Sequence, residues 1–292
     1  MSVRLAAGDL RLELRPEVGG SVAAFRLDRG AGFALMRSLA GTPPDAVNAA
    51  MFPMLPFANC IRDNRFNLDG RTYELQSNMP GVRLNFHGSG WQSPWQVTSQ
   101  GASQAAVEIA DGRVGDVYRY SARQQFELDV NGFTVETSVT NRADRRMPFS
   151  FGQHPWFPTH GEALVRFRAA ALWRSDAEGQ TEQLVPVTPP ADYSVPRPPP
   201  DSFANTCYTG WDGRAEIEWP SAGVGLSIRA DPVFSHLMLH VPADGQPVFC
   251  LEPQSNAPCA FDGLGDGRVA PGVFILEPGA SVAGGMRFEV AA

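Results

Sequence analysis

Short segments in which apolar and polar residues alternate recur along most of the chain, and this constrains the fold more than any other feature. "LRLELRP", "SVAAFRL", "AAVEIA", "YRYSARQQFELDV", "FTVETSVTN", "AEIEWP", "VGLSIRA" and "GMRFEV" all carry the period of two that turns one face of a strand inward. No window sustains apolar residues at helical spacing for three turns with caps. The 29 glycines and 25 prolines punctuate the segments as turns between many strands would. The expectation is an all-β chain of two packed, mainly antiparallel sheets. The proline-rich segment "VPVTPPADYSVPRPPPDS", residues 185–202, cannot lie inside a sheet. Strand patterns of one kind flank it, so it reads as a long surface loop within a single domain spanning residues 1–292.

A chain of 292 residues, 43% of them hydrophobic, can bury a large core. Its net charge of −7 argues against a nucleic-acid partner, which would need a basic face. All 24 basic residues are arginine. Schiff-base, pyridoxal-phosphate and P-loop lysine chemistry are therefore excluded. The N-terminal residues carry charges throughout, without an apolar signal-peptide core. Nothing approaches the ~18 apolar residues of a membrane span. Cys60, Cys207, Cys250 and Cys259 lack CxxC spacing and suggest no disulfide framework. These features place the chain in the cytoplasm by default. Nothing in them identifies an oligomer interface.

Four stretches combine titratable residues with strand ends and turns: "PFANCIRDNRF" (56–66), "LNFHGSGW" (84–91), "SFGQHPWFPTH" (150–160) and "FCLEPQSNAPCAF" (249–261). Glu252 ends an apolar run and precedes Pro253, so its carboxyl loses solvation and its backbone is held extended. His154 repeats that construction before Pro155. Each also has a plain structural reading as a satisfied, partly buried polar group. His87, beside glycines, is either a turn residue or a ligand contact. His160, His236 and His240 read as structural, because no HExxH and no third ligand at metal spacing accompany them. No GxSxG elbow, dinucleotide fingerprint or calcium loop is present. No cofactor and no metal is implied.

Taken in order, "NFHGSGW", "FGQHPWF" and "CLEPQSNAPCAF" resemble the His-Gly…Trp, Gly-x-His-Pro-aromatic-Phe and Leu-Glu-Pro-Gln blocks of the aldose 1-epimerase (galactose mutarotase) family, with "NTCYTGWDG" between the last two. The resemblance extends from "PEVGGSVAAFRL" to "GVFILEPGASV", nearly the whole chain. It implies a β-supersandwich with a sugar cleft on one sheet, and cofactor-free interconversion of the anomers of a hexose. By that analogy Glu252 is the general base, His154 the general acid, and His87 holds the sugar. A carboxylate near His154 would raise its pKa and help it supply a proton.

Two positions depart from the family pattern. Where an arginine commonly follows the asparagine of the first block, this chain has Asn59-Cys60. Arg62, two residues on, is the candidate replacement. Where an aspartate is usual, the chain has Asn205, which can hydrogen-bond a sugar but brings no charge. The substrate-binding set implied is thus His87, Asn59, Arg62 and Asn205. Two alternatives stand beside a free-hexose epimerase. A hexose-6-phosphate 1-epimerase would need arginines at the cleft, with Arg62, Arg65 and Arg83 as candidates. A non-catalytic sugar-binding protein would keep aromatic platforms such as Trp91, Trp156 and Trp211 without turnover.

Overall fold

The computed structural model describes residues 2–176 and 179–291. An eleven-stranded sheet packs against an eight-stranded one, with two further two-stranded ladders, and all strand pairs within these sheets are antiparallel. The larger sheet runs in space through Val3–Ala7, Leu10–Arg15, Ser21–Leu27, Met51–Met54, Gly152–Pro158, Val248–Gln254, His236–Val241, Ala204–Thr209, Ala171–Ser175 and Thr181–Pro186, with Phe33–Ala34 paired to one side. The smaller runs through Leu164–Phe167, Arg214–Trp219, Val224–Ala230, Ser281–Ala291, Gly132–Asn141, Tyr118–Asp129, Gln104–Val114 and Gln96–Gln100. The all-β expectation holds, and each alternating segment forms a strand. Among the described residues no helix is long and apolar enough to cross a membrane.

The two sheets differ in how they meet solvent, and this positions the site. In Tyr118–Asp129 the buried residues alternate with exposed or half-buried ones, since one face packs inward and the other is wet. Phe25 of the large sheet meets Phe133 of the small one edge-on at 4.8 Å, and Phe133 stacks on Phe288 at 4.7 Å. Burying each such side chain is worth about 1.5–3 kcal/mol. Gln153 also points into this interface, donating to Gln124 Oε1 at 2.8 Å and Thr137 Oγ1 at 3.0 Å on the facing sheet. At the centre of the large sheet both faces are covered. Every residue of Val248–Gln254 is buried. Phe249 and Leu251 join the core between the sheets, while Cys250 packs with Trp156 and Val248 on the opposite face. That opposite face is the floor of a cleft. Val185 and Pro186, expected outside any sheet, instead end the edge strand Thr181–Pro186, where the unpaired side tolerates proline; the rest of the proline-rich segment forms the loop, bridging to Val165 through Arg197 and stacking Tyr193 on Phe167 at 5.1 Å.

Candidate active site

Strand register assembles the cleft floor in rows. Trp156, Cys250, His240 and Asn205 are successive cross-strand partners. Glu252, Met238, Cys207 and Trp173 form the next row. The pairing of Gly152 with Gln254 and Trp156 with Cys250 sets His154 across from Glu252. Pro155 and Pro253 follow these two residues and donate nothing to the ladder. The result is a His154 Nε2–Glu252 Oε1 separation of 3.2 Å, with His154 7% and Glu252 2% exposed. His154 is held between two rings, stacked on Phe52 at 4.4 Å and on Trp156 at 5.2 Å. The Arg37 guanidinium lies 3.9 Å from the Trp156 ring centroid.

His87 enters from a loop above this floor. It and Asn59 both adopt left-handed backbone, with φ of 61° each. They grip each other twice: the His87 N–H donates to the Asn59 carbonyl, and the Asn59 N–H donates to His87 Nδ1, both at 2.9 Å. Because Nδ1 accepts, the ring proton sits on Nε2, a donor available to a ligand. Gly88 makes the turn possible, since a Cβ there would meet the Leu55 carbonyl oxygen at 2.4 Å. The His87 ring stands perpendicular to His154 at 5.5 Å.

Burial dominates the electrostatics. It pushes the Glu252 carboxyl well above the ordinary carboxylate range. It pushes His154 well below the ordinary histidine range, with His87, His240 and Arg37 adding repulsion. Desolvation thus outweighs the expected lift of His154 by its neighbouring carboxylate, because neither group reaches enough water to carry charge. Both shifts favour a pair that together holds one proton. Burial also lowers His87 to about 3 and His240 to about 4, so both are neutral.

The cleft, about 920 Å³, is lined by His87, His154, Glu252, Asn59 and Asn205 among the expected residues. Trp91 and Trp156 line it as well. Trp211 does not; it is a core residue donating to the Arg214 carbonyl. Arg62 is also outside. It sits in a turn where Asp63 takes a φ of 49°, and its guanidinium donates to Asp262 at 2.7 Å. The strand Met51–Met54 has already ended and Cys60 makes only an isolated bridge to Phe86, so the two-residue spacing does not bring Arg62 to the ligand side. Cys60 itself is buried against Leu84 and Cys259. Arg65 and Arg83 pair with Glu74 and Asp63, also away from the cleft. His240 lines the cleft, contrary to the structural role expected of it, while His236 bonds Thr209 and the Ser255 carbonyl. The four-residue spacing of His236 and His240 did put both on one face; the depth of that face needed the sheet order. Phe52, Trp173, Arg174 and Phe203 are further lining residues without a sequence signal of their own.

His87, His154 and Glu252 have ligand-type atoms all within 4.8 Å of one another. Two imidazoles and a carboxylate are a donor set that suits zinc. The same three groups can instead serve proton transfer, since the close His154–Glu252 pair already satisfies itself by sharing a proton.

The two-sheet sandwich thus carries a cleft with a buried histidine–carboxylate pair at its floor. The aldose 1-epimerase family model matches residues 2–288, and the chain belongs to that family. It is 33% identical over 220 residues to the uncharacterized protein YphB of Escherichia coli K12, covering 73% of this chain and 75% of that one. The crystal structure of an aldose 1-epimerase candidate from Escherichia coli K12 superposes with a TM-score of 0.92 at 30% identity, over 100% of this chain and 99% of the other. A galactose mutarotase-like protein from Clostridium acetobutylicum shares the fold, with a TM-score of 0.82 at 20% identity over 99% and 95% of the two chains.

Proposed function

We propose that the protein is a cofactor-independent aldose 1-epimerase that interconverts the α- and β-anomers of a hexose. The observation that carries this reading is the His154–Glu252 contact of 3.2 Å on the floor of a sugar-sized cleft. Mutarotation removes the proton from the anomeric hydroxyl and delivers one to the ring oxygen. The C1–O5 bond then breaks, C1 rotates about C1–C2, and the ring recloses on the other face of the carbonyl. A pair holding one proton matches that demand. Burial leaves the pair's proton on Glu252 at rest; its transfer across the contact to His154 on substrate binding frees the carboxylate, which takes the O1 proton while His154 protonates O5, and reclosure returns both protons. The site thus ends each cycle in the state in which it began.

His87 Nε2–H suits a sugar hydroxyl acceptor, and Asn59 and Asn205 offer amides to others. Phe52 and Trp156 fix the His154 ring and exclude water around it. The free-sugar reading is preferred to a phosphosugar one because Arg62, Arg65 and Arg83 are engaged with carboxylates outside the cleft, leaving Arg174 as the one arginine among its described lining residues. Four free, buried cysteines support a cytoplasmic placement. A core cluster running from Val3 to Phe288 supports a single domain. The test is polarimetry on freshly dissolved α-glucose and α-galactose. The protein should speed the approach to the equilibrium rotation, and His154→Ala should lose that effect. A wild-type protein that leaves the rate of both sugars, and of other free aldoses, at the spontaneous value would refute the reading.

A further inference from the structure

All four cysteines are buried and free, but two of them are in contact. Cys60 and Cys259 lie 199 positions apart in sequence and 3.9 Å apart at their sulfurs. The Cys259 N–H donates to the Cys60 carbonyl at 2.9 Å, which holds the two residues within reach of a disulfide. Cys207 and Cys250 belong to separate clusters, and burial pushes both thiols up. Cys259 goes the other way. A hydrogen bond from the Cys60 thiol lowers it against the pull of burial, with the Thr181 backbone and the Arg62 guanidinium adding to the effect. Cys60, the donor of that bond, is raised. A lowered thiol touching a raised one is the arrangement of an attacking and a resolving cysteine. The cover over them is thin. The Gly179 carbonyl lies 4.0 Å from the Cys60 sulfur, and Thr181 Oγ1 donates to the Pro258 carbonyl at 3.0 Å. Thr181 opens the last strand of the large sheet, an edge that opens more readily than the centre and can admit a small oxidant.

The pair is also tied to the sugar side of the protein. The Cys60 N–H donates to Asn59 Oδ1 at 3.1 Å, and Asn59 grips His87 through two further hydrogen bonds. Cys60 bridges Phe86, the residue before His87. A disulfide must draw the sulfurs from 3.9 Å to about 2.05 Å. Cys60 is packed against Leu84 and Phe86, so the movement passes to the main chain at Asn59 and Phe86, on both sides of the His87 clamp.

We propose that Cys60 and Cys259 are a reversible oxidation site: a hydroperoxide joins them in a disulfide, which displaces Asn59 and with it His87, and so slows the sugar chemistry. The last clause rests on the epimerase reading above. The Cys259 sulfur attacks a peroxide oxygen; the S–O bond forms, the O–O bond breaks, and the thiol proton leaves with the departing oxygen as water or alcohol. The Cys60 sulfur then attacks the Cys259 sulfenic acid; the S–S bond forms, the S–O bond breaks, and water departs with the Cys60 proton. The two thiols lose two electrons and the peroxide gains them. A small dithiol restores both thiols by exchange and is itself oxidised to a disulfide.

Wild type, Cys60→Ala and Cys259→Ser are treated with hydrogen peroxide and then with dithiothreitol. Peptide mass mapping, the NMR signals of the His87 ring and anomeric exchange of glucose or galactose follow each step. Wild type should gain a Cys60–Cys259 crosslink, shift its His87 signals and lose at least about tenfold in kcat/KM. Dithiothreitol should reverse all three. Neither variant should crosslink or respond, and each should keep its untreated rate within about twofold of wild type, because neither side chain touches the sugar. Should one variant fail to fold, the other serves as the control. Absence of the Cys60–Cys259 crosslink would overturn the proposal, and so would a crosslink that leaves the His87 signals unmoved. Reduced wild type that epimerises no sugar would overturn the epimerase reading alone. The oxidation site would then stand or fall on the crosslink and the His87 signals, which need no substrate.

Discussion

Replacing Glu252 with glutamine should stabilise the protein while removing its activity, and the stabilisation should grow with pH. Glu252 is 2% exposed and its carboxyl meets His154 at 3.2 Å. Burial raises its pKa well above the ordinary value, so the folded pair retains a proton that the unfolded carboxyl releases above about 4.3. Raised pKa means the associated stability is full below the unfolded value and is lost as pH rises toward the folded one. Each pH unit in that window costs the wild type about 1.4 kcal/mol relative to glutamine, which takes up no proton. Within that window the gap should widen with each pH unit in favour of Glu252→Gln. Urea unfolding at pH 5, 6 and 7 reads this directly, as the difference between the two proteins at each pH. Loss of the general base should meanwhile lower kcat by about 10²–10⁴-fold. Parallel stability profiles for the two proteins would refute the claim that the buried pair holds a proton.

The same proton count sets the pH–rate profile. With His154 lowered and Glu252 raised, the one-proton pair is the main species across the usual histidine range, so kcat/KM should show no limb near ~6.5; a titration there would mean the pair is hydrated and ordinary. Gly88→Ala should cost at least ~2 kcal/mol, because its φ of 63° is joined by backbone contact at 2.4 Å, whereas Gly81→Ala, with a φ of 75° but open space, should cost about 1 kcal/mol in the same urea melts. Chelation by EDTA should leave the epimerase rate unchanged, while added Zn²⁺ should inhibit by engaging His87, His154 and Glu252; a rate that falls with EDTA and returns with Zn²⁺ would assign those residues to a metal instead.

What was legible in the sequence follows from which surfaces are wet. The segments that alternate cleanly, such as Tyr118–Asp129 and Arg214–Trp219, are mostly in the eight-stranded sheet, where one face meets solvent and must be polar. The strands that carry the site do not alternate. Val248–Gln254 and His236–Val241 are buried on both faces, so only proline, glycine and titratable residues marked them. That sufficed for His154 and Glu252, whose shared placement before proline reflects facing positions on paired strands. It did not suffice for His240, whose place beside Trp156 depends on the distant strand Gly152–Pro158 pairing with the strand that follows His240's own. Arg62 shows the opposite limit. A spacing of two brings side chains to one face only along a strand, and here the strand ends at Met54, with bends and then a turn at Arg62–Asn64 following.

The central claim is that His154 and Glu252 open and reclose an aldose ring. Exchange spectroscopy at the anomeric protons of glucose, with wild type, His154→Ala and Glu252→Gln at equal concentration, tests it most directly. The account predicts faster α/β exchange with wild type and near-spontaneous exchange with both folded variants. Enhanced exchange that survives in either variant, or none in wild type with glucose, galactose or any other reducing sugar, would contradict it.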